Sequence, residues 1–480
     1  MKHVSTSATF LTYARRGALL LALGAAGPAA WGQSFGLVST YSTGASGNFA
    51  SMALGDINGD GRLDAVTSNS SAHNVVVLQG QTGGGLLVSG IYATGTGSSP
   101  RGVVLGDVNG DGRLDVITAN YGTSSVGILL GQTGGGLAAA GTYSVGLGSG
   151  PKGVVTGDVN GDGRLDIITA NADADNIGVL LGQVGGGFAT VNEYTTGTGS
   201  SPRGVVLGDV NGDGRLDVIT ANYGTSSVGV LLGQTGGGLA AVSAYATSEP
   251  LRVAVGDVNG DGRRDIITTN FNTSTVGVLL GQMNGGFAPV STYTTGSSSN
   301  PQGLVLGDVT GDGRLDIITA NYGANAVGVL PSQMSGGFAT VSAYPIPLPA
   351  FPTDVALGDV NGDGRPDIFT IGTYPFTAGN AFVGILLNTG TYTPLATTSA
   401  NLAAQVTLAP NPTHDAFTVQ LPAGLAPTQA ELLNALGQAV RRPAVGAGSF
   451  RVETNGLAPG VYTLRLLTGG AALARRVVVE

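Results

Sequence analysis

A nine-residue stretch with oxygen-bearing side chains at positions one, three, five and nine occurs seven times in the sequence. The first copy runs from Asp56 to Asp64, and the later copies follow in steps of 51 residues, except for one step of 48. Ca²⁺ is a hard cation that takes about six to eight oxygen ligands, so a short loop must turn several oxygens inward. Glycine at position six permits the left-handed backbone that such a turn requires. We therefore predict one calcium site per copy, up to seven in all.

The predicted ligands are the side chains at positions one, three, five and nine and the backbone carbonyl at position seven. Position seven is always arginine, and its charged head would be repelled by a cation, so only its carbonyl is expected to coordinate. In chain order, the predicted metal-ligating residues are Asp56, Asn58, Asp60, Arg62, Asp64, Asp107, Asn109, Asp111, Arg113, Asp115, Asp158, Asn160, Asp162, Arg164, Asp166, Asp209, Asn211, Asp213, Arg215, Asp217, Asp257, Asn259, Asp261, Arg263, Asp265, Asp308, Thr310, Asp312, Arg314, Asp316, Asp359, Asn361, Asp363, Arg365 and Asp367.

An alternative interpretation is a set of Asx-rich hairpin turns without metal. Repetition argues against it, because each loop collects three carboxylates that would repel one another with nothing between them. The stretch also differs from an EF-hand, since it ends in Asp at position nine and β-type sequence flanks it. The fifth loop has Arg264 in place of Leu or Pro, and the sixth has Thr310 in place of Asn. We expect these two loops to be the weakest metal sites.

The charge and the cysteine content of the chain bear on its expected partners and on how the fold is stabilised. The seven loops hold 21 of the 30 acidic residues, so the formal net charge of −9 mostly reflects metal-site chemistry. The sequence shows no basic stripe with interleaved aromatic residues, and nucleic acid is therefore not an expected partner. The chain has no cysteine, so bound metal takes the place that disulfides hold in many secreted proteins.

Short Val, Ile and Leu runs separated by glycine-rich turns must position the loops. Around the third loop, the runs 137–143, 153–157, 167–170 and 177–181 read as four β strands per unit of about fifty residues. This period is typical of a β-propeller blade, although a solenoid can have a similar one. The last unit lacks its outer strand, which Phe35–Tyr41 can supply. We therefore predict an all-β, seven-bladed β-propeller over residues 34–388, closed by an N-terminal strand.

The two ends of the chain carry different signals. Residues 1–32 combine early basic residues with an apolar run, as in a signal peptide, and the run is too short for a membrane anchor. No other stretch could span a membrane, so no transmembrane segment is expected in the mature chain. Residues 389–405 read as a linker. A second, small β domain is predicted over residues 406–480.

Two family resemblances follow from these motifs. The run Gly-Asp-Val-Asn-Gly-Asp-Gly-Arg-Leu-Asp, with Gly-Gly-Phe-Ala at 186–189, resembles the FG-GAP/VCBS repeat family, which includes the integrin α-subunit propellers. That resemblance implies a propeller with Ca²⁺ on one face and ligands on the other. Pro410-Asn411-Pro412, the run 433–438 and the run 460–465 resemble the type A sorting domain of the type IX secretion system. This implies a small immunoglobulin-like β-sandwich that meets the secretion machinery, with export to the cell surface or beyond; an ordinary accessory domain is the alternative.

Groups suited to catalysis are scarce between residues 33 and 405. His73 is the one imidazole there, and no nucleophile–base set can be assembled from the sequence, so we predict that the protein is not an enzyme. Aromatic residues follow Asn in four turns on the predicted ligand face, where they could bind a glycan or protein ligand or pack locally: Tyr121, Tyr223, Phe271 and Tyr322. Arg101, Lys152 and Arg203 could add polar contacts. The predicted function is a secreted or cell-surface, calcium-binding adhesion or ligand-binding module. The alternatives are a carbohydrate-active enzyme, a lectin-like polysaccharide-binding protein and a purely structural surface protein.

Overall fold

The computed structural model describes two parts of the chain. The first comprises residues 35–36, 39–283, 285–333, 337–347, 350–373 and 380–390. The second comprises residues 406–410, 413–421, 427, 429–433, 439–446, 448–457, 460–468 and 471–479. The predicted signal peptide (1–32) and residues 391–405 of the predicted linker lie outside the described residues, as do most of the motif 433–438 and the long turn that the sequence places around residues 374–376.

The first part is built from short β strands and one 3-10 turn at Tyr121–Thr123. In chain order its strands are β1 (Ser39–Ser46), β2 (Phe49–Gly55), β3 (Asp64–Asn69), β4 (Asn74–Gln81), β5 (Gly85–Ala93), β6 (Pro100–Gly106), β7 (Asp115–Asn120), β8 (Ser125–Gly131), β9 (Leu137–Ser144), β10 (Pro151–Gly157), β11 (Asp166–Asn171), β12 (Asn176–Leu180), β13 (Asn192–Thr195), β14 (Pro202–Gly208), β15 (Asp217–Asn222), β16 (Ser227–Leu231), β17 (Ser243–Ala246), β18 (Pro250–Gly256), β19 (Asp265–Asn270), β20 (Thr275–Leu279), β21 (Ser291–Thr294), β22 (Pro301–Gly307), β23 (Asp316–Asn321), β24 (Ala326–Leu330), β25 (Ser342–Pro345), β26 (Pro352–Gly358), β27 (Asp367–Thr373) and β28 (Asn380–Leu386).

These strands form seven four-stranded antiparallel sheets within the described residues. Six sheets use four consecutive strands each, beginning with β2-β3-β4-β5. The remaining sheet has the order β1-β28-β27-β26, and in it Tyr41 lies opposite Val383. β1 lies later than the predicted run 35–41, and Phe35 makes an isolated bridge to Asn388. The chain is therefore all-β, with repeated four-stranded sheets in a propeller-like arrangement.

The second strand of each sheet is the most deeply buried. In β7, all six residues from Asp115 to Asn120 are buried, whereas the outer strand β13 is mostly exposed. Runs such as Val-Ile-Thr-Ala suit this position, because a strand covered on both faces needs apolar or small side chains at every step. The middle of each sheet is thereby held rigidly, and the strand ends carry the loops.

The hydrophobic core lies between neighbouring sheets. Val66 and Val77 of the first sheet pack with Val103 and Val116 of the second. Further clusters of this kind join later neighbours, and another places Phe49 of the first sheet with residues of the β26-β27-β28 sheet. Each sheet therefore buries both of its faces, as β sheets stacked face to face must.

The second part of the chain contains β29 (Thr407–Ala409), β30 (Ala416–Gln420), β31 (Gln429–Leu433), β32 (Ala439–Arg441), β33 (Ser449–Glu453), β34 (Gly460–Thr468) and β35 (Ala471–Val479). They form a sheet β29-β30-β33 and a sheet β32-β31-β34-β35. Phe417 of the first sheet and Leu432, Leu464 and Val477 of the second belong to one core. Two sheets sharing a core agree with the predicted small β domain, whose immunoglobulin-like topology stays a prediction.

Within the part of the chain that the structure describes, no helix is long and apolar enough to cross a membrane.

Candidate functional site

Each predicted metal loop connects the first and second strands of a sheet. In the second sheet, the loop begins at Asp107, directly after β6, and ends at Asp115, the first residue of β7. The same connection recurs in all seven sheets, so the seven acidic stretches lie at corresponding strand ends. A rigid hairpin thus presents each loop, with both of its ends anchored in buried strands.

The aspartate at position one organises its own loop. In the second loop, Asp107 Oδ1 accepts hydrogen bonds from the N–H groups of Gly110 at 2.7 Å and Asp111 at 3.0 Å. Its Oδ2 accepts another from Gly112 at 2.7 Å. Gly110 and Gly112 have φ values of 75° and 82°, which residues with a Cβ adopt only with strain. Backbone N–H groups therefore curl around a carboxylate of the same loop.

The aspartate at position nine clamps the loop to the sheet. Asp115 is fully buried; its Oδ2 accepts the N–H of Val108 at 2.9 Å and its Oδ1 the N–H of Gly131 at 2.9 Å. Gly131 has no room for a side chain, since a Cβ there would lie 2.4 Å from the carbonyl oxygen of Leu114. Burial, together with the charges of Asp111 and Asp107, raises the pKa of Asp115.

The arginine at position seven makes contacts that the sequence did not lead us to expect. Its guanidinium was predicted to be repelled from the site, yet Arg113 forms an ion pair with Asp111 of its own loop. Arg113 Nε also donates to the carbonyl oxygen of Gly131 at 2.8 Å. The ion pair recurs in all seven loops, because the head can fold back onto the position-five carboxylate two residues away. Coordination of a cation through the arginine carbonyl alone stays a prediction.

The donor chemistry of the loops fits a hard divalent cation. Each loop brings three carboxylates and one amide or hydroxyl oxygen into nine residues, and the mutual charges raise the pKa of the buried carboxylate at position nine. A carboxylate has about four lone-pair sites, so oxygens that accept N–H groups can still bind a metal. Among the described residues, however, no three acidic or histidine side chains already form a metal cage. In the structure the carboxylate of Asp111 is instead paired with Arg113.

The fifth and sixth loops, predicted to be the weakest sites, differ from each other. The fifth keeps the same backbone pattern, with Asp257 accepting from Gly260 and Gly262. In the sixth, the N–H of Thr310 donates to Asp316 at 3.0 Å. The Nε of Arg314 is buried and has no hydrogen-bond partner in the described structure. Burial, with the charge of Asp312, raises the pKa of Asp316 to about 6. The predicted order of metal affinity stays a prediction.

A cavity of about 530 Å³ lies at the opposite strand ends. We call the strand before each acidic loop the opening strand of its sheet. The second residue of every opening strand lines the cavity: Ala50, Arg101, Lys152, Arg203, Leu251, Gln302 and Thr353. These seven side chains are separated by about fifty residues in sequence, and the propeller-like arrangement brings them together. The loops and the cavity therefore occupy opposite ends of the same strands.

The four predicted aromatic ligand residues are not equivalent. Tyr121 and Tyr322 line the cavity, but Tyr223 and Phe271 do not. The Tyr121 ring centroid lies 4.7 Å from the Cζ atom of Arg101, and the Tyr322 ring stacks on Phe351 at 4.9 Å. A ring beneath a guanidinium group supports the cation rather than a ligand. The ligand-binding role of the four residues stays a prediction.

One cation of the cavity, Arg252, was not singled out from the sequence. Arg252 lines the cavity at a position where the second, third and fourth sheets have glycine, and Asp354 takes the corresponding position in β26. The turn before β18 is three residues shorter than the equivalent turns of the other units, and this obscures the alignment of Arg252 in the sequence. The signal that could have found it is a count of lysine and arginine outside the loops.

His73, the one imidazole of residues 33–405, and the acid Asp175 both have local structural partners. His73 Nδ1 accepts the N–H of Ser99 at 3.0 Å, in a turn that connects two sheets. Asp175 accepts the N–H groups of Gly199 at 2.7 Å and Ser201 at 2.8 Å in the same way. Both residues therefore stabilise turns, in which one sheet is held against the next.

Comparisons with known proteins agree with the repeat pattern. Six segments match the family described as FG-GAP-like repeat, at residues 56–118, 107–169, 158–220, 209–268, 257–319 and 308–370. Each match joins two neighbouring loops, so together they include all seven. Residues 407–480 match the secretion system C-terminal sorting domain. No curated protein matches the chain.

Solved structures show a distant likeness. A protein from Lactobacillus plantarum is 17% identical, covers 63% of this chain and 86% of its own, and has a TM-score of 0.47. The periplasmic gluconolactonase of Pseudomonas aeruginosa is 17% identical, with 62% and 85% covered and a TM-score of 0.48. A functionally unknown protein from Desulfotomaculum acetoxidans is 15% identical, with 62% and 89% covered and a TM-score of 0.44. At these identities and TM-scores, the likeness says nothing about the activity of this chain.

Proposed function

Because the chain belongs to the FG-GAP-like repeat family and carries a type IX sorting domain that directs it to the cell surface or the extracellular space, we propose that it is a calcium-binding β-propeller with a non-enzymatic role in adhesion or ligand binding. The proposal has three parts: a closed ring of seven blades, calcium in the acidic loops, and a ligand site at the opposite strand ends.

The single observation that carries the proposal is the cavity to which all seven sheets contribute. Equivalent residues of seven successive sheets can line one cavity only if the sheets are arranged around it. The pairing of β1 with β28, and the core that Phe49 shares with residues of the last sheet, support a ring closed by the N-terminal strand. Closure also removes an exposed sheet edge, which would otherwise invite aggregation.

Calcium is proposed to stabilise the loop end of this ring. The residues that would hold it are those at positions one, three, five and nine and the carbonyl at position seven, up to seven ions in all. The ion would neutralise three carboxylates per loop, among them the buried aspartate at position nine. A metal that binds only the folded state adds to its stability by mass action.

A binding role is favoured over catalysis by the side chains near the cavity. Cations, hydroxyls, amides and rings line it, and the described residues place no nucleophile beside a general base there. Adhesion and ligand binding require only complementary chemistry at an accessible surface. A carbohydrate-active enzyme remains the alternative function, and it differs in one observable, the release of product.

The test uses the purified full chain with calcium. The protein is applied to glycan and protein arrays. In parallel, it is incubated with the polysaccharides of the array, and reducing ends and unsaturated products are assayed. We expect saturable binding to at least one immobilised ligand, loss of that binding on chelation, and no product. Reproducible product formation that is abolished by substituting an acid outside the loops, such as Asp354→Asn, would overturn the non-enzymatic role.

A further inference from the structure

The basic residues of the repeat region are concentrated at one place. Outside the nine-residue loops, residues 33–405 contain four lysine or arginine residues: Arg101, Lys152, Arg203 and Arg252. All four line the cavity at the strand ends opposite the loops. They come from β6, β10, β14 and β18, the opening strands of four consecutive sheets. In a chain with a formal net charge of −9, this placement creates a local region of positive charge.

Aromatic rings hold three of these cations over the cavity. The Cζ atom of Arg203 lies 3.6 Å from the centroid of Tyr223. The Tyr121 centroid lies 4.7 Å from the Cζ atom of Arg101 and 5.6 Å from the Nζ atom of Lys152. Cation–π contacts of this kind orient a charged head without neutralising its charge. The cations are therefore positioned, yet they keep their capacity to bind an anion.

The four cations have few counter-charges. Within the described residues, none of them forms an ion pair, and the buried Nε of Arg203 has no hydrogen-bond partner. Burial, followed by the charge of Arg203, lowers the pKa of Lys152, while Asp173 raises it. The charges of Asp354 and Arg252 attract each other. Asp354 also accepts the N–H of Met52 at 3.1 Å, and burial raises the pKa of Asp354. Four cations facing two acids leave an excess of positive charge.

The remaining part of the cavity is uncharged and carries mostly hydroxyl and amide groups, beside the apolar side chains of Phe49, Ala50 and Leu251. At the positions equivalent to Arg101, the first, sixth and seventh sheets carry Ala50, Gln302 and Thr353. Ser70 and Asn48 add a hydroxyl and an amide to the same lining. The cavity thus has a cationic side, which suits an oxyanion, and a side with hydroxyl and amide groups, which suits sugar hydroxyls.

We propose that this cavity binds an acidic sugar unit, a hexuronate or a sulfated residue, within an extracellular polysaccharide. The cations take the carboxylate or sulfate group, and the hydroxyl and amide side takes the sugar hydroxyls. An acidic peptide fits less well, because hydroxyl and amide side chains outnumber the apolar side chains of the lining. Single-stranded nucleic acid needs free ring faces for its bases, but Tyr121 bears cations and Tyr322 stacks on Phe351. This inference rests on the proposed ligand-binding function and names the ligand class of that site.

The experiment measures binding of the full chain, in calcium and at low salt, to four probes by calorimetry. The probes are hyaluronan oligosaccharides, the same oligosaccharides with their carboxyl groups reduced, dextran sulfate and unmodified dextran. Poly-glutamate and single-stranded DNA serve as anionic polymers of other classes. We expect the two acidic glycans, or one of them, to bind at least tenfold more tightly than their neutral counterparts, with affinity falling as salt is added.

Variants locate the binding to the cavity. Arg203→Gln should weaken acidic-glycan binding about tenfold or more, because a charge-assisted contact is lost. Arg203→Lys keeps the charge and should recover part of the loss. Gln302→Ala, at the equivalent uncharged position, removes a neutral hydrogen bond to the sugar and should weaken binding less than Arg203→Gln does. Thermal melting of each variant separates loss of binding from loss of folding, and Arg101→Gln, at an exposed residue, provides a second cation substitution that is easily tolerated.

Equal binding of acidic and neutral glycans, or acidic-glycan binding unchanged in Arg203→Gln and Arg101→Gln, would overturn the inference while the proposed ligand-binding function stands. Tighter binding of poly-glutamate or DNA than of any acidic glycan would overturn the sugar assignment in the same way. Failure of every probe, combined with no binding on the glycan and protein arrays, would overturn both.

Discussion

The two ends of the repeated sheets differ in how strictly the sequence repeats. At the loop end, the same hydrogen bonds recur from copy to copy, as when Asp56, Asp158 and Asp359 each accept N–H groups of their own loop. At the cavity end, the seven equivalent positions carry six different residue types: Ala50, Arg101, Lys152, Arg203, Leu251, Gln302 and Thr353. The loop end therefore serves each sheet separately, whereas the cavity end forms one asymmetric site.

The reason for the contrast lies in the partners of each side chain. Asp115 accepts two backbone N–H groups and is fully buried, so any replacement leaves buried donors without partners. Arg101 at the other end is exposed and rests on a ring, so its replacement disturbs little of the fold. Repetition is retained where the contacts are internal, and variation is tolerated where they face the solvent.

Removal of metal should have the largest effect, because it acts on every loop at once. Calcium at a hundredfold excess over its dissociation constant adds about 2.7 kcal/mol per site to the free energy of unfolding. We expect the melting temperature of the calcium-bound chain to fall by about 10 °C or more on chelation. Differential scanning calorimetry with and without chelator checks this, and an unchanged transition would remove the proposed role of calcium.

Position nine should matter more to the metal-free fold than position five. Asp115→Ala leaves the N–H groups of Val108 and Gly131 buried and unpaired, at about 1–3 kcal/mol each. Asp111→Ala removes a solvent-screened ion pair with Arg113, so its loss should be clearly smaller. Chemical denaturation gives the two losses. Equal losses would mean that the buried clamp has no special role.

Hydrogen exchange should show where the damage lies. In calcium, Asp111→Ala also removes a predicted metal ligand, and we expect faster exchange in β6–β9 than in the distant sheet β18–β21. Uniform acceleration across all seven sheets would indicate that the loops do not act separately.

Acidification of the metal-free protein should increase its stability before it decreases it. The pKa of Asp316 is raised by burial to about 6 from an ordinary value of 3.8, so the folded state binds its proton first. Its contribution to stability is fully present below pH 3.8 and is lost as the pH rises through about 6, on the order of 2–3 kcal/mol. The free energy of unfolding should therefore fall between pH 4 and about 7, and less so in Asp316→Asn.

The same direction applies to the other loops. Burial also raises the pKa of Asp64, Asp166 and Asp265, so their contributions add to that of Asp316. The N–H of Arg215 lowers the pKa of Asp213, so the contribution of Asp213 to stability is lost as the pH falls. That loss occurs below pH 3.8 and therefore outside the range between pH 4 and about 7. With calcium bound, the trend should reverse, because protons compete with the ion.

Substitution of a cavity cation should have the smallest effect on stability. Burial, with the charges of Arg101 and Arg252, lowers the pKa of Arg203, so its charged form is slightly disfavoured in the fold. Replacing it with methionine, Arg203→Met, should leave the free energy of unfolding within about 1 kcal/mol of the parent, in either direction. A loss as large as that of Asp115→Ala would show that the cavity end is as constrained as the loop end.

Much of the local structure was predictable. The third loop was expected between strands at 153–157 and 167–170, and the structure has β10 at Pro151–Gly157 and β11 at Asp166–Asn171. Apolar runs and glycine-rich turns determine such hairpins within a few residues of sequence. The bounds of β1 were predicted less well, since pairing with β28, more than 300 residues away, decides where that strand begins and ends.

The candidate sites were predictable to different degrees. The acidic residues of the loops stood out because one spacing is repeated, but the contact between Arg113 and Asp111 was not predicted. The alignment of Arg101, Lys152 and Arg203 was visible in the sequence. Their convergence with Arg252 on one cavity was not, because no sequence pattern relates residues about fifty positions apart to a common centre.

By itself, the sequence determined the all-β class, the repeated unit, the acidic loops and the export signal, since each depends on contacts or motifs within a few tens of residues. The tertiary structure alone decided which side chains meet. Stacked sheets bring the opening strands of all seven units to the same end, and there four widely separated cations share one cavity. Charges brought together in this way interact through space, and that interaction depends on distance rather than on order along the chain.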